Sequence, residues 1–302
     1  MNRPLILYVP GLMPKPEAGV HKAALRRCLL EGLRRHDAGL AAEIGVAERS
    51  FDLVAWTYDF YREHRDFKLD TRSVEALLAE PDASERDIEE ASSPGKRFLR
   101  WLYRVGNLFP FLIPHLADER MELHLRDLMR YVHNRNDIAT HTREMLKMPL
   151  RAAWESGRPV LLAAHSMGSV IAYDALWEMA RDAQDELRVD LLLTMGSPLG
   201  QSYLRRHILG RDESGPARYP DNIRRWVNLS ALGDMTAVNP FLKGGFGEML
   251  RFGLVESIED VEIFNAFRQD GELNVHAEYG YLANEVTAAV VADWWRQQQQ
   301  GG

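Results

Sequence analysis

The stretch that decides how the chain is interpreted is PVLLAAHSMGSVIAY, from Pro159 to Tyr173. An apolar run of strand length ends in Ala-His-Ser-Met-Gly at positions 164–168, and a helix-like segment follows at once. This order predicts a strand, a sharp turn and a helix, with Ser166 at the apex of the turn. Such a turn holds a serine hydroxyl in a strained backbone conformation at the carboxyl edge of a sheet.

The residues on either side of Ser166 support this interpretation. The backbone N–H of Met167 would lie at a helix N-terminus, where it can face a developing oxyanion. The pattern is G-x-S-x-G, with Ala164 in place of the first glycine. Small residues are needed there because the strand and helix backbones pass close together, and alanine is the least disruptive departure.

Length and composition are those of an ordinary globular protein, with 302 residues, 46% of them hydrophobic and 27% charged. The formal charge of −7 argues against nucleic acid as the main partner. Cys28 is the one cysteine, so no disulfide can form within the chain. No run reaches the roughly 18 apolar residues of a membrane span, and Leu5–Val9 is too short for the core of a secretory signal. We therefore expect a cytoplasmic protein.

Six apolar segments of strand length alternate with helical patterns, near residues 5, 54, 161, 192, 228 and 263. The second is predicted over Phe51–Tyr58 and the last over Val261–Phe267. Strands that are apolar for most of their length and alternate with helices predict a mostly parallel, doubly wound α/β sheet covered on both faces. No internal repeat or linker interrupts the chain, which indicates a single domain over residues 1–302.

Helical periodicity is clearest after the first strand and at the end of the chain. The first helix has apolar or small residues at i, i+3, i+4, i+7 and i+8, which predicts a face turned to a core: Leu25, Cys28, Leu29, Gly32 and Leu33. A final helix is predicted over Glu278–Trp295.

Residues 62–130 break the alternation and suggest a helical cap or lid inserted into the domain. Within them, segment 96–116 has one helical face of Phe98, Trp101, Leu102 and Val105 opposite one of Arg97, Arg100 and Arg104. One interpretation is a lid helix that covers the active site, and another is a helix that lies on a membrane surface. Either would suit an acyl-bearing, lipid-like substrate.

A serine hydroxyl needs an imidazole to take its proton, and a carboxylate usually orients that imidazole. In a doubly wound sheet all three side chains must come from loops at the carboxyl ends of strands. His276 follows the last strand and Asp234 directly follows the fifth, so Ser166, Asp234 and His276 form the predicted site. Asp260 and Asp270 are the rival acids.

Other candidates fit the chemistry less well. His165 adjoins the nucleophile, but its place in the turn favours a structural role. Ser197 follows a strand, but Pro198 argues against a second nucleophile turn. The spacing typical of metal ligands is absent at His115, His124, His133 and His141, so we expect neither a metal nor another cofactor.

These residues resemble the α/β-hydrolase superfamily, in particular bacterial lipases and esterases and GPI-inositol-deacylase-like serine hydrolases. The matching stretches are Ala164–Gly168, Met195–Leu199 and Asn228–Asp234, together with His276. The resemblance implies a triad of Ser166 as nucleophile, His276 as base and Asp234 as the orienting acid. It also implies that the chain begins at the third strand of that fold, so that the first two strands are missing.

In this family the loop after that strand supplies the second oxyanion donor. Here the loop reads Pro10-Gly11-Leu12. Because proline has no N–H to donate, we assign the donor to Leu12, with Gly11 allowing close approach. The expected function is cleavage of a small or lipid-like carboxylic ester through an acyl-enzyme. An acyltransferase or thioesterase on the same fold, and a non-catalytic membrane- or partner-binding protein, are the alternatives.

Overall fold

A six-stranded, fully parallel sheet forms the centre of the part of the chain that the structure describes, in the order β2-β1-β3-β4-β5-β6. The computed structural model describes residues 3–80, 84–91, 119–182, 188–237 and 239–300. The strands are β1 (Leu5–Val9), β2 (Phe51–Leu53), β3 (Val160–His165), β4 (Val189–Met195), β5 (Ile223–Ala231) and β6 (Ser257–Ile263). A short antiparallel hairpin of β7 (Arg268–Gln269) and β8 (Glu272–Leu273) follows.

Helices connect these strands and lie beside the sheet. In the first half of the chain they are α1 (Ala18–His36), α2 (Ala38–Val46), α3 (Thr57–Tyr61), α4 (Lys68–Ala79), α5 (Glu85–Ala91), α6 (Glu119–Val132) and α7 (Ile138–Glu155). In the second half they are α8 (Met167–Met179), α9 (Ser202–Arg205), α10 (Lys243–Arg251), α11 (Glu278–Ala283) and α12 (Glu285–Gln300). The general α/β architecture predicted from the alternating pattern is therefore confirmed.

Strands β1 and β3 are apolar along almost their whole length because both faces of the sheet are covered there. Leu5, Leu7 and Val9 of β1 point into one core, and Ile6 and Tyr8 point into the other. Successive side chains of a strand alternate between faces, so a strand buried on both sides needs apolar residues at every position. Full burial of one such side chain contributes about 1.5–3 kcal/mol.

Different helices cover the two faces. Residues of α7 and α8, such as Leu146 and Ile171, belong to the first core, and residues of α1 and α12, such as Leu29 and Trp294, belong to the second. The predicted inward face of α1 is buried along its whole length, as the i, i+3, i+4 spacing indicated.

The predicted second strand is too long. β2 ends at Leu53, and the chain turns through a Trp56 N–H to Val54 carbonyl bond of 2.9 Å into α3. The indole N–H of Trp56 donates to the carbonyl of Pro10 at 2.9 Å, and Tyr58 is exposed. The predicted extension to Tyr58 is therefore wrong, because the chain turns at Trp56, whose side chain is held by the loop after β1.

The last strand and the last helix also differ from expectation. β6 begins at Ser257 and ends at Ile263, four residues before the predicted end. Among the described strands it lies at the edge of the sheet and pairs with β5 alone, and its exposed Glu259 and Glu262 obscured the strand pattern. The predicted helix from Glu278 is interrupted at Asn284, whose side-chain carbonyl accepts the N–H of Val286 at 2.9 Å and so caps α12.

Part of the predicted cap is described. Helices α4 and α5 and most of α6 lie within residues 62–130, and Val74 and Leu77 of α4 are buried in the second core. Segment 96–116 lies outside the described residues, so the single domain with a helical cap stays a prediction. No helix in the described ranges is both long enough and apolar enough to cross a membrane.

The closest backbone approach near the turn at Ser166 is at Gly168, and it gives a testable prediction. A Cβ atom there would lie 2.7 Å from the carbonyl oxygen of Pro10 and closer still to that of Val9. Gly168→Ala should lower the free energy of unfolding by about 1–3 kcal/mol, measured by urea denaturation, because the helix must move away from β1.

Gly244→Ala is the matched control, since Gly244 also lies in a helix but has nothing within 4 Å of a built Cβ. Alanine there should raise the free energy of unfolding by up to about 1 kcal/mol, as expected for a better helix former. Equal stabilities of the two variants would contradict the tight packing at Gly168.

Candidate active site

Ser166 lies at the sharp turn between β3 and α8, where the sequence predicts it. Its backbone has φ 51° and ψ −124°, a conformation that costs a non-glycine residue on the order of 1–3 kcal/mol. The Ser166 N–H donates to the carbonyl of Met195 at 2.9 Å, and its own carbonyl accepts the Ser169 N–H at 3.0 Å. These bonds fix the turn between β4 and the first turn of α8.

The side chains of Ser166, His276 and Asp234 form one continuous chain of hydrogen bonds. His276 Nε2 lies 2.9 Å from Ser166 Oγ, and His276 Nδ1 lies 2.8 Å from Asp234 Oδ2. Asp234 follows β5, while His276 lies between β8 and α11. The structure thus brings together the three residues that were predicted to meet, although 110 positions separate the serine from the histidine.

Asp234 is fully buried and has four hydrogen-bond donors around its carboxylate. Oδ2 accepts from His276 and from the Tyr281 hydroxyl at 2.8 Å each, and Oδ1 accepts the N–H groups of Thr236 at 2.8 Å and Ala237 at 3.4 Å. Burial alone would raise the pKa of the Asp234 carboxyl, but the charge of His276 and these hydrogen bonds lower it. Asp234 is therefore ionised at neutral pH and can accept the Nδ1–H of His276.

Tyr281 is a site residue that the sequence did not indicate. Its hydroxyl donates to Asp234 Oδ2 and accepts the N–H of Ala231 at 2.8 Å, which ties the acid to the end of β5. Burial, with the nearby charge of Asp234, raises the pKa of Tyr281 well above its ordinary value, so the hydroxyl remains a donor. No motif marks such a tyrosine, since its role depends on α11 folding back over β5.

Gly196 is the second residue that the sequence did not assign to the site. It follows β4 with φ +55°, and a built Cβ would lie 2.9 Å from Asp234 Oδ2 and 3.0 Å from His276 Nδ1. A side chain here would push the acid and the imidazole apart. The sequence shows only a glycine at the end of a strand. An ordinary turn would show the same glycine, so its contact with Asp234 and His276 could not be predicted.

Both residues that are predicted to supply oxyanion donors lie near Ser166. Met167 is the first residue of α8, so its N–H has no acceptor within the helix. Leu12 lies in the loop after β1 and lines the same cavity as Ser166. A Cβ on Gly11 would come within 2.8 Å of Ser166 Cβ, so the loop approaches the serine closely. The donor roles of Met167 and Leu12 stay predictions.

None of the rival residues is hydrogen-bonded to His276 in the described structure. Asp260 lies in β6 rather than before its strand, and it accepts the N–H groups of Leu242 and Lys243 at 2.9 and 3.1 Å at the start of α10. Asp270 forms the turn of the β7–β8 hairpin with φ 51°. Ser197 Oγ bonds to Ser169 Oγ at 2.7 Å.

His165 is buried beside the site and supports its backbone. Its Nε2 bonds to the carbonyl of His276 at 2.8 Å, and its buried Nδ1 has no hydrogen-bond partner among the described residues. Burial, reinforced by the nearby charge of His276, lowers the pKa of His165 to about 3. A neutral ring with Nε2–H as the donor satisfies this geometry, whereas a second proton on Nδ1 would have no acceptor.

A cavity of about 760 Å³ opens in front of Ser166. Its wall includes the apolar side chains of Leu12, Leu123 and Phe267, and charged side chains that include Lys15 and Arg65. Cavities of this size hold small organic ligands. The described residues contain no group of three or more histidine, cysteine, aspartate or glutamate side chains placed to hold a metal ion.

Comparison with known proteins adds no family to this description. A scan against protein-family models, a search of the curated proteins and a search of the solved structures each gave no match.

The buried His165 gives a pH prediction. Its pKa of about 3 in the folded chain lies below the ordinary value of about 6.5 for an unfolded histidine, so between these pH values the unfolded state binds one more proton. This residue should therefore lower the free energy of unfolding by up to about 1.4 kcal/mol per pH unit as the pH falls from 6.5 towards 3.

His165→Gln should remove that part of the pH dependence in urea denaturation between pH 7 and pH 5. His36→Gln, at an exposed position, is the control and should keep the wild-type slope. A His165→Gln protein with an unchanged slope would show that this imidazole is not held neutral.

Proposed function

We propose that this protein is a serine hydrolase that cleaves carboxylic esters through a Ser-His-Asp triad and an acyl-enzyme. The observation that carries the proposal is the unbroken hydrogen-bonded chain from Ser166 Oγ through His276 to the buried Asp234. The strained turn at Ser166 and the cavity in front of it add support, because a purely structural serine needs neither.

In the proposed reaction, Ser166 Oγ attacks the ester carbonyl while His276 Nε2 takes its proton. Asp234 holds the imidazole by its Nδ1–H and stabilises the imidazolium that forms. The N–H groups of Met167 and Leu12 would receive the negative charge on the carbonyl oxygen, and loss of one such donor would cost about 3 kcal/mol in the barrier.

The tetrahedral intermediate then collapses. His276 gives the proton to the alkoxide leaving group, and the alcohol departs from an acyl-enzyme on Ser166. Water attacks the acyl-enzyme as His276 takes one of its protons, and a second collapse returns that proton to Ser166 and releases the carboxylic acid. Transfer of the acyl group to another alcohol or thiol would differ only in the molecule that attacks.

The α/β-hydrolase fold is part of this proposal. The parallel sheet, the turn at Ser166 and the chain order serine, aspartate, histidine are what that fold requires. The cavity wall combines charged and apolar side chains, which suits an ester with polar as well as apolar parts. The role of segment 96–116 as a lid or a membrane-surface helix stays a prediction.

Fluorophosphonate labelling tests the nucleophile. The wild-type protein and a Ser197→Ala variant should become labelled, because both keep the triad, whereas Ser166→Ala should not. Mass spectrometry of the intact protein measures the adduct. A folded wild-type protein that does not react with the probe would overturn the proposal.

A second experiment tests the acid. Asp234→Asn should lower kcat for p-nitrophenyl esters on the order of 10³- to 10⁴-fold, because an amide favours the wrong imidazole tautomer. Asp270→Asn makes the same chemical change at an exposed position on the same cavity and should keep turnover within about twofold, as surface substitutions usually do. Full activity of Asp234→Asn would mean that another group orients His276.

A further inference from the structure

We infer that Lys15 and Glu278 are positioning residues, whose ion pair holds the loop carrying the Leu12 donor against the segment carrying His276. The inference deepens the proposed function and rests on it. Lys15 lies three residues after Leu12, and Glu278 lies two residues after His276. Lys15 and Glu278 are 263 positions apart in the sequence, so their ion pair joins two distant segments of the chain.

Glu278 is buried, and donors from three parts of the chain surround its carboxylate. Oε1 accepts from Lys15 Nζ at 2.8 Å and contacts His21 Nε2 at 3.0 Å, while Oε2 accepts from the Tyr8 hydroxyl at 3.2 Å. Its side chain is 5% exposed. An isolated buried carboxylate would be costly, so these donors fix both the charge and the start of α11.

Ionisation of Glu278 is consistent with this arrangement. Burial alone would raise the pKa of its carboxyl, but the charges of Lys15 and His21 and the hydrogen bond from His21 lower it well below the usual range. The carboxylate therefore attracts Lys15 at neutral pH. Charge-assisted hydrogen bonds of this kind are shorter and stronger than neutral ones.

The loop on the other side of the pair is held at several points. Met13, which has φ 76°, donates its N–H to the Tyr61 hydroxyl at 3.1 Å, and the carbonyl of Lys15 accepts the N–H of Arg65 at 2.9 Å. These bonds connect the loop to the region of α3. The Lys15 side chain connects it to α11, and thus to the segment of the catalytic histidine.

His165 holds the same histidine segment from the side of β3, through the carbonyl of His276. The segment is therefore fixed on one side by strand β3 and on the other by the loop after β1. An oxyanion donor and a general base act together only when both are held close to the reacting carbonyl. A small displacement of either group therefore lowers the reaction rate strongly. The ion pair of Lys15 and Glu278 connects the loop that carries the oxyanion donor to the segment that carries the general base, and so holds the two in fixed relative positions.

Lys15 also lines the cavity, with a side chain that is 16% exposed, so the experiment must separate positioning from direct contact with substrate. The variants are Lys15→Met, Lys15→Arg and Glu278→Gln. Lys22→Met is the matched control, because Lys22 also forms a 2.8 Å ion pair, with Asp52, but on the exposed surface. The probes are a neutral p-nitrophenyl ester, one with a terminal carboxylate, and a boronic acid that forms a tetrahedral adduct with serine.

We expect Lys15→Met and Glu278→Gln to lower kcat for both esters by about tenfold or more. KM should change less than about threefold, because the lost interactions stabilise the transition state and not the bound substrate. Affinity for the boronic acid should fall by a similar factor, because its adduct also needs the oxyanion donors. Lys15→Arg should retain most of the activity, and Lys22→Met should match the wild type.

Two results with an active wild-type protein would overturn the inference. One is a Lys15→Met protein whose kcat and affinity for the boronic acid equal those of the wild type. This result would overturn the inference even if Glu278→Gln does not fold. The other is an effect confined to KM for the carboxylate ester, which would make Lys15 a substrate-binding residue. An unreactive wild-type protein would instead overturn the proposed function, and this inference with it.

Discussion

The close packing of α8 against the end of β1 is the constraint on which the candidate site depends. Gly168 allows the helix to begin directly over the carbonyl of Pro10, and the Ser166 N–H is bound to Met195 at the end of β4. The turn is thus held between two neighbours of β3. That packing offsets the strain of a serine at φ 51° and places its hydroxyl at the carboxyl edge of the sheet.

Two buried carboxylates hold the rest of the site in place, one by contacting the imidazole and the other by holding the backbone near it. Asp234 contacts the imidazole of His276 and is itself held by Tyr281. Glu278 contacts no reacting group, but it holds the backbone two residues from His276 through Lys15 and other donors. A buried carboxylate must be surrounded by donors, so each one fixes several elements at once.

Much of the fold could be predicted because burial on both faces leaves a strong pattern. The central strands are apolar at nearly every position, and the inward face of α1 follows the helical repeat. Prediction was weaker at the edges of the sheet. β2 ends early because Trp56 turns towards the Pro10 carbonyl, and β6 carries exposed glutamates because no described strand pairs with its outer edge. Neither the Trp56 contact nor the edge position of β6 can be recognised from the residues near it in the sequence.

The sequence by itself determined the turn at Ser166 and the candidates Asp234 and His276, because a parallel sheet brings the ends of its strands to one edge. Only the tertiary structure decided that Asp234, rather than Asp260 or Asp270, meets the imidazole. It also decided that Tyr281, Gly196 and Glu278 belong to the same neighbourhood. Their roles depend on α11 folding back across the strand ends, and a contact between segments so distant along the chain has no periodicity or motif to mark it.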